Sequence, residues 1–268
     1  MRERLFSQID EGAALDRLAK LRINYDPAKA PEDGAVAVEG HWHVDSGTTV
    51  LGQERPGAPE DGGVWATACG LVGEYEFADA RILRGAYRPG GDLLGRNMLL
   101  EARFFGLRFY VGVRVTGVID EERDSGDGPE RVWGWSYQTL AGHLEQGRLG
   151  YEVIKNLGTG RVTFRVAGYS RAAPIENLVI RLGFRVFGRW TQERFYRNVQ
   201  ARMADLVRTA QRGRPLPAPE ARPDGIVLAP SGIRPHPLEH LTLGWPHPGR
   251  STASSAVGKE KGWQPHST

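Results

Sequence analysis

The chain has 268 residues, of which 40% are hydrophobic and 25% charged, with a formal net charge of +3. That composition is ordinary for a globular protein and long enough to bury a core without disulfides or metal. A single cysteine, Cys69, excludes an intrachain disulfide and a multi-cysteine zinc site, and no apolar run reaches the roughly 20 residues that span a bilayer. The basic residues are nearly all Arg and are spread along the chain, so nucleic-acid binding is not expected.

Residues 3–22 read as an amphipathic helix: Leu5, Ile9, Leu15, Leu18 and Leu21 fall near helical spacing, and Pro27 closes the segment. The acids Glu3, Asp10, Glu11 and Asp16 interrupt any signal-peptide core, which points to a cytoplasmic protein. A short strand is expected around 36–44 and a loop at 54–63, where Gly, Pro and acids concentrate. Cys69 lies in apolar company, as a buried inert thiol does.

Five strands are expected over 98–105, 108–119, 131–139, 149–155 and 161–169. In the second, Phe109, Val111, Val113, Val115 and Ile119 are assigned to one face, opposite Arg108, Arg114 and Thr116. Short connections at 106–107, 124–129, 142–147 and 156–160 favour an antiparallel meander. From Pro174 the period becomes helical, through Ile175, Leu178, Val179, Leu182, Val186 and Trp190, then Phe195, Val199, Met203, Leu206 and Val207. Gly183 and Gly188 are places for a kink or a split. The expected organisation is a single α+β domain over 1–212, in which a curved antiparallel sheet grips a long C-terminal helix. A Pro/Gly/Ser-rich and mostly disordered tail follows over 213–268, within which 237–245 can dock locally.

The segment Gly134-Trp-Ser-Tyr-Gln-Thr-Leu-Ala-Gly-His-Leu-Glu-Gln-Gly147 resembles the DUF1990 (UPF0548) family of uncharacterised proteins. That family has an aromatic-rich strand, then Thr-Leu, a Gly-His pair, Glu and Gly. Tyr169-Ser170-Arg171 stands where the family has an aromatic-Ser-Arg-Pro motif, with Ala172 in place of the Pro, and Gln192 with Phe195-Tyr196 matches a Gln and aromatic pair in its last helix, so that the resemblance covers about 97–208. The layout is similar to the helix-grip, Bet v 1-like (START-like) superfamily, which implies an apolar cavity between sheet and helix. The step from that fold to ligand binding is an analogy.

Several residues invite a functional reading. Trp133, Trp135, Tyr137 and Thr139 alternate on one strand and share a face, where they either fill the core or line a cavity for a small apolar, lipid-like or aromatic ligand. His143 and Glu145 are read as a pair in one loop, either holding the turn or acting as acid and base. Arg171, beside Tyr169, can clamp a carboxylate, whether a ligand's or that of Glu145, and Ser170 can cap the following helix. His41 and His43 supply two metal ligands without a third, so no metal is assigned, and no phosphate or dinucleotide motif implies a cofactor. The leading expectation is an apolar-ligand-binding domain. The alternatives are an enzyme using His143 and Glu145, or an interaction protein using the Arg-rich helix and tail.

Overall fold

The computed structural model describes residues 10–31, 42–104, 107–173 and 178–232, with side chains at 104, 107–109 and 178–193 left aside. The elements run α1 (Glu11–Leu18), β1 (His43–Gln53), α2 (Val64–Gly73), β2 (Leu83–Tyr87), β3 (Asn97–Phe104), β4 (Leu107–Ser125), β5 (Gly128–Thr139), β6 (Glu145–Asn156), β7 (Arg161–Ala172), α3 (Leu178–Gln211), β8 (Glu220–Ala221) and β9 (Val227–Ala229). Among the described residues, nine strands form one sheet in the order β1-β7-β6-β5-β4-β3-β2-β9-β8, antiparallel at every pairing. The sheet is curved and carries a long C-terminal helix, the helix-grip layout.

The meander follows directly from the period-2 patterning of β3 to β7. Met98 and Leu100, Val111, Val113 and Val115, Trp135 and Tyr137, Tyr151 and Val153, and Val162, Phe164 and Val166 all face inward. Against them pack Ala68, Leu71 and Val72 of α2 and Phe195, Val199, Met203, Leu206 and Val207 of α3. Those α3 positions lie on one helical face, and the helix runs unbroken through Gly183 and Gly188.

The outer face of the sheet is also covered at one end. Ala14, Leu15 and Leu18 of α1 pack with Ala86, Leu99, Leu140, Ile226 and Leu228 into a second core. Asp10 caps α1 by accepting from the Ala13 amide at 2.8 Å, and positions 3–9 of the expected helix lie outside the described residues. Gly112 lets this layer close: a Cβ there would lie 2.3 Å from a Leu18 methyl.

Four expectations change. A bulge between Val115 and Gly117 shifts the phase of β4, so Val118 pairs with Trp135 and Ile119 moves to the opposite face. Glu145 begins β6 instead of sharing a loop with His143. Ser170 lies within β7, paired with Gly147 and His43, so it does not cap α3. The chain stays ordered past 212. Residues 227–229 pair with β2, and Ile226 and Ala229 are fully buried, because a four-residue apolar run between Gly225 and Pro230 is long enough to complete a sheet edge. The expected strand positions 36–41, His41 and residues 233–268 lie outside the described residues.

Candidate functional site

The inner face centres on aromatic side chains delivered by four elements. On β5, Trp135 and Tyr137 are buried and Trp133 packs at their edge. Register places Tyr151 of β6 directly opposite Trp135, and Val166 opposite Tyr151. The Tyr151 ring lies 4.6 Å from Phe77 and 5.2 Å from Trp135, edge to face, 6.1 Å from Tyr137, tilted, and 6.4 Å from Phe164, stacked.

Tyr75 enters from the C-terminal end of α2. The Glu76 amide donates to the Leu71 carbonyl and the Tyr75 amide to the Val72 carbonyl, a Schellman ending that puts Tyr75 where glycine is usual. Its φ is 64°, the one left-handed non-glycine conformation among the described residues. Side chains also donate to carbonyls at this helix end: Trp135 Nε1 to Val72 at 3.0 Å, Tyr87 Oη to Glu74 at 3.1 Å, and Arg96 to Gly73 at 3.3 Å. Gly85 leaves room for the Tyr75 ring, which would sit 3.1 Å from a Cβ there. A bulky side chain is therefore held in a costly backbone state by contacts on every side.

The phenols of Tyr75, Tyr137 and Tyr151 converge closely enough that each influences the others' titration. Burial pushes all three well above the ordinary phenol range, so they remain protonated. The Tyr75 and Tyr151 hydroxyls make no hydrogen bond of ordinary geometry among the described residues. Reading the sequence from 131–139 missed both. Tyr151 was legible in principle, since it alternates with Leu149 and Val153, whereas Tyr75 sits between two glutamates and looks exposed.

The other expected site residues divide between two faces. Thr139 ends β5 with its hydroxyl donating to Asn24 Oδ1 at 2.6 Å and accepting from the Gly147 amide at 3.0 Å. His143 follows Gly142, whose φ of 88° turns the chain. Its Nδ1 accepts from the backbone amide of Glu145 at 2.9 Å, which assigns the imidazole proton to Nε2. Burial lowers its pKa to about 4. Strand alternation puts Glu145 on the inner face with Leu149 and Tyr151, and its carboxylate raises the Tyr137 pKa further.

Tyr169 and Arg171 are on the outer face, away from these groups. Tyr169 packs with Tyr25 and Trp42, its hydroxyl 3.2 Å from that of Tyr25. Arg171 donates to Gln146 Oε1 at 2.7 Å and stacks 4.3 Å from the Trp42 ring centroid. It does not clamp Glu145, because odd positions of β7 and β6 face opposite sides across the pair Arg171 and Gln146. The Cys69 thiol is pushed up by burial. No cluster of three or more metal-binding side chains, and no helix long and apolar enough to cross a membrane, occurs among the described residues.

A family model described as "Domain of unknown function (DUF1990)" matches residues 24–202. The chain belongs to the DUF1990 family. The match reaches further toward the N-terminus than the 97–208 resemblance, taking in Tyr25, Tyr75 and α2. Among solved structures, this DUF1990 protein is similar to Ara h 8.0201 at 11% identity, over 63% of this chain and 99% of that one, with a TM-score of 0.35. It is likewise similar to a point mutant of Thalictrum flavum norcoclaurine synthase holding a transition-state analogue (11% identity, 65% and 99% coverage, TM-score 0.41). A third is major latex-like protein 151 from Panax ginseng (11%, 62% and 97%, TM-score 0.35). No curated protein matches the chain. The helix-grip description therefore rests on the strand order and the C-terminal helix of the DUF1990 chain itself.

Proposed function

We propose that this domain binds a small apolar or aromatic molecule against the inner face of the sheet, with Trp133, Trp135 and Tyr137 as the wall. The observation that carries the reading is Tyr75, fully buried among rings at a φ of 64°. Strain of that kind persists only where the surroundings over-determine it, and it concentrates at ligand clamps and active sites. The rings supply apolar area, and the polar groups on the same face supply orientation. Thr139, His143 and Glu145 lie at the end of this wall, where β5 turns into β6.

Acid–base catalysis by His143 and Glu145 has less support. The Glu145 amide occupies Nδ1, and the ring stays neutral well below physiological pH. Tyr169 and Arg171 belong to the outer face, so the binding set is better drawn from Trp133, Trp135, Tyr137, Tyr75 and Tyr151.

Native mass spectrometry of protein purified from its own host is expected to show a retained small molecule. In parallel, the neutral apolar dye 1-N-phenylnaphthylamine should bind saturably and be displaced by that molecule. Finding neither an adduct nor saturable dye binding would refute the reading.

A further inference from the structure

We infer that the ligand's polar end is a neutral oxygen acceptor, such as a ketone or ester carbonyl, received by the hydroxyls of Tyr75 and Tyr151. The inference rests on the inner-face binding reading and adds the chemistry of the bound group.

Buried polar side chains almost always find a partner, so each exception needs a cause. Here two exceptions stand together: the Tyr75 and Tyr151 rings lie 6.2 Å apart, both fully buried, and although their hydroxyls adjoin each other and that of Tyr137, neither makes a hydrogen bond of good geometry among the described residues. A stray orphan in an otherwise packed core is readily replaced by Phe. Two that converge, one of them on a strained backbone, describe a prepared donor pair.

The acceptor character follows from the protons. Burial keeps both phenols protonated, and their O–H groups are poorly aligned on one another, so both hydrogens are open to a better-placed acceptor. A carbonyl oxygen has two lone pairs and can take both. A donor such as an ammonium group would engage the phenol oxygens and leave both hydrogens unmatched.

Charge selects further. The Glu145 carboxylate lies on the same face and is felt at Tyr137, which disfavours a second anion beside it. Two cations that reach toward the inner core have anionic, carbonyl or aromatic partners, although the Arg96 Nε is left without one among the described residues. Lys155 is paired with Glu54 at 2.6 Å, and Arg96 lies 4.9 Å over the Tyr87 ring. A neutral acceptor meets the donor pair without importing charge into a dry interior.

The test uses four compounds of one shape on the full chain: naphthalene, 2-acetylnaphthalene, 2-naphthoate and 2-naphthylmethylammonium, each titrated by calorimetry. The ketone is expected to bind about tenfold or more tighter than naphthalene, as one well-made polar contact allows, and both ions more weakly than the ketone. In the Tyr75→Phe/Tyr151→Phe double variant the ratio of ketone to naphthalene affinity should fall to about one. The single variants retain the ring packing and carry the same test if the double variant does not fold.

Equal binding of ketone and naphthalene to the wild type overturns this inference and leaves inner-face binding standing, as would happen if buried water served the two hydroxyls. Preference for the ammonium compound, or a ketone preference that survives both substitutions, also overturns it. Failure of all four compounds to bind overturns the binding reading and this inference with it.

Discussion

His143 offers a quantitative check on the turn between β5 and β6. Its Nδ1 holds the Glu145 amide, so protonation there would break that bond and place a charge in a poorly solvated position. The folded-state pKa is about 4, against an unperturbed value of 6.5. Between these values the unfolded chain binds a proton that the native state does not, so stability rises with pH across this window. The contribution is complete above about pH 6.5 and is lost as pH falls toward 4. From pH 7.5 to 4.5 the loss comes to about 2.5 kcal/mol for a ring wholly out of water, and nearer 1.5 kcal/mol for this half-buried side chain. Urea unfolding of the wild type and of His143→Gln at several pH values isolates the effect, because the other titrating groups cancel in the difference. The variant should lose less stability on acidification by that amount, and the His143 ring protons should show no NMR titration above pH 5. Parallel pH profiles, or an imidazole that titrates near 6.5, would refute the buried neutral ring.

Three further outcomes follow from the packing. Lys155→Met strands the buried Glu54 carboxylate and should cost about 3–5 kcal/mol by chemical denaturation, with much of the loss recovered in Glu54→Gln/Lys155→Met; a single variant within 1 kcal/mol of wild type would mean the pair is already hydrated. Gly112→Ala drives a methyl into Leu18 and should cost about 1–3 kcal/mol, offset by adding Leu18→Ala; an unaffected midpoint would place α1 away from the sheet. Trp135→Ala removes a buried ring together with its hydrogen bond to Val72 and should cost about 3–5 kcal/mol, so a small effect on stability would show that the ring is not part of the core.

The meander was legible because its strands bury one face. Val111, Val113 and Val115 alternate with Gly112 and Arg114, and the turn residues Gly142 and Gly160 take left-handed conformations that mark where the chain reverses. What stayed hidden obeys other rules. The helix α2 is apolar on nearly every side and contains glycines, so no period stands out in Val64–Gly73. The strand β9 is a three-residue element whose conformation comes from pairing with β2, not from its own pattern. At the site, Trp135 and Tyr137 could be placed together from β5 alone. Tyr75 and Tyr151 join them only through cross-strand register and a helix ending, and both are long-range facts. Tyr169 and Arg171 lie on the other side of β7, which the motif that names them cannot tell.

The outer core joins the two extremes of the described chain. Leu15 and Leu18 share a cluster with Ile226 and Leu228, and Arg222 bonds to Glu11 across a separation of 211 residues. During synthesis at about 5–20 residues per second, the partners of α1 emerge roughly 10–40 s after it. For that interval α1 has an apolar stripe and nothing from β9 to cover it. A nascent chain of this protein is therefore exposed to chaperone capture at α1 until β9 is released, and truncation before residue 226 would make that exposure permanent.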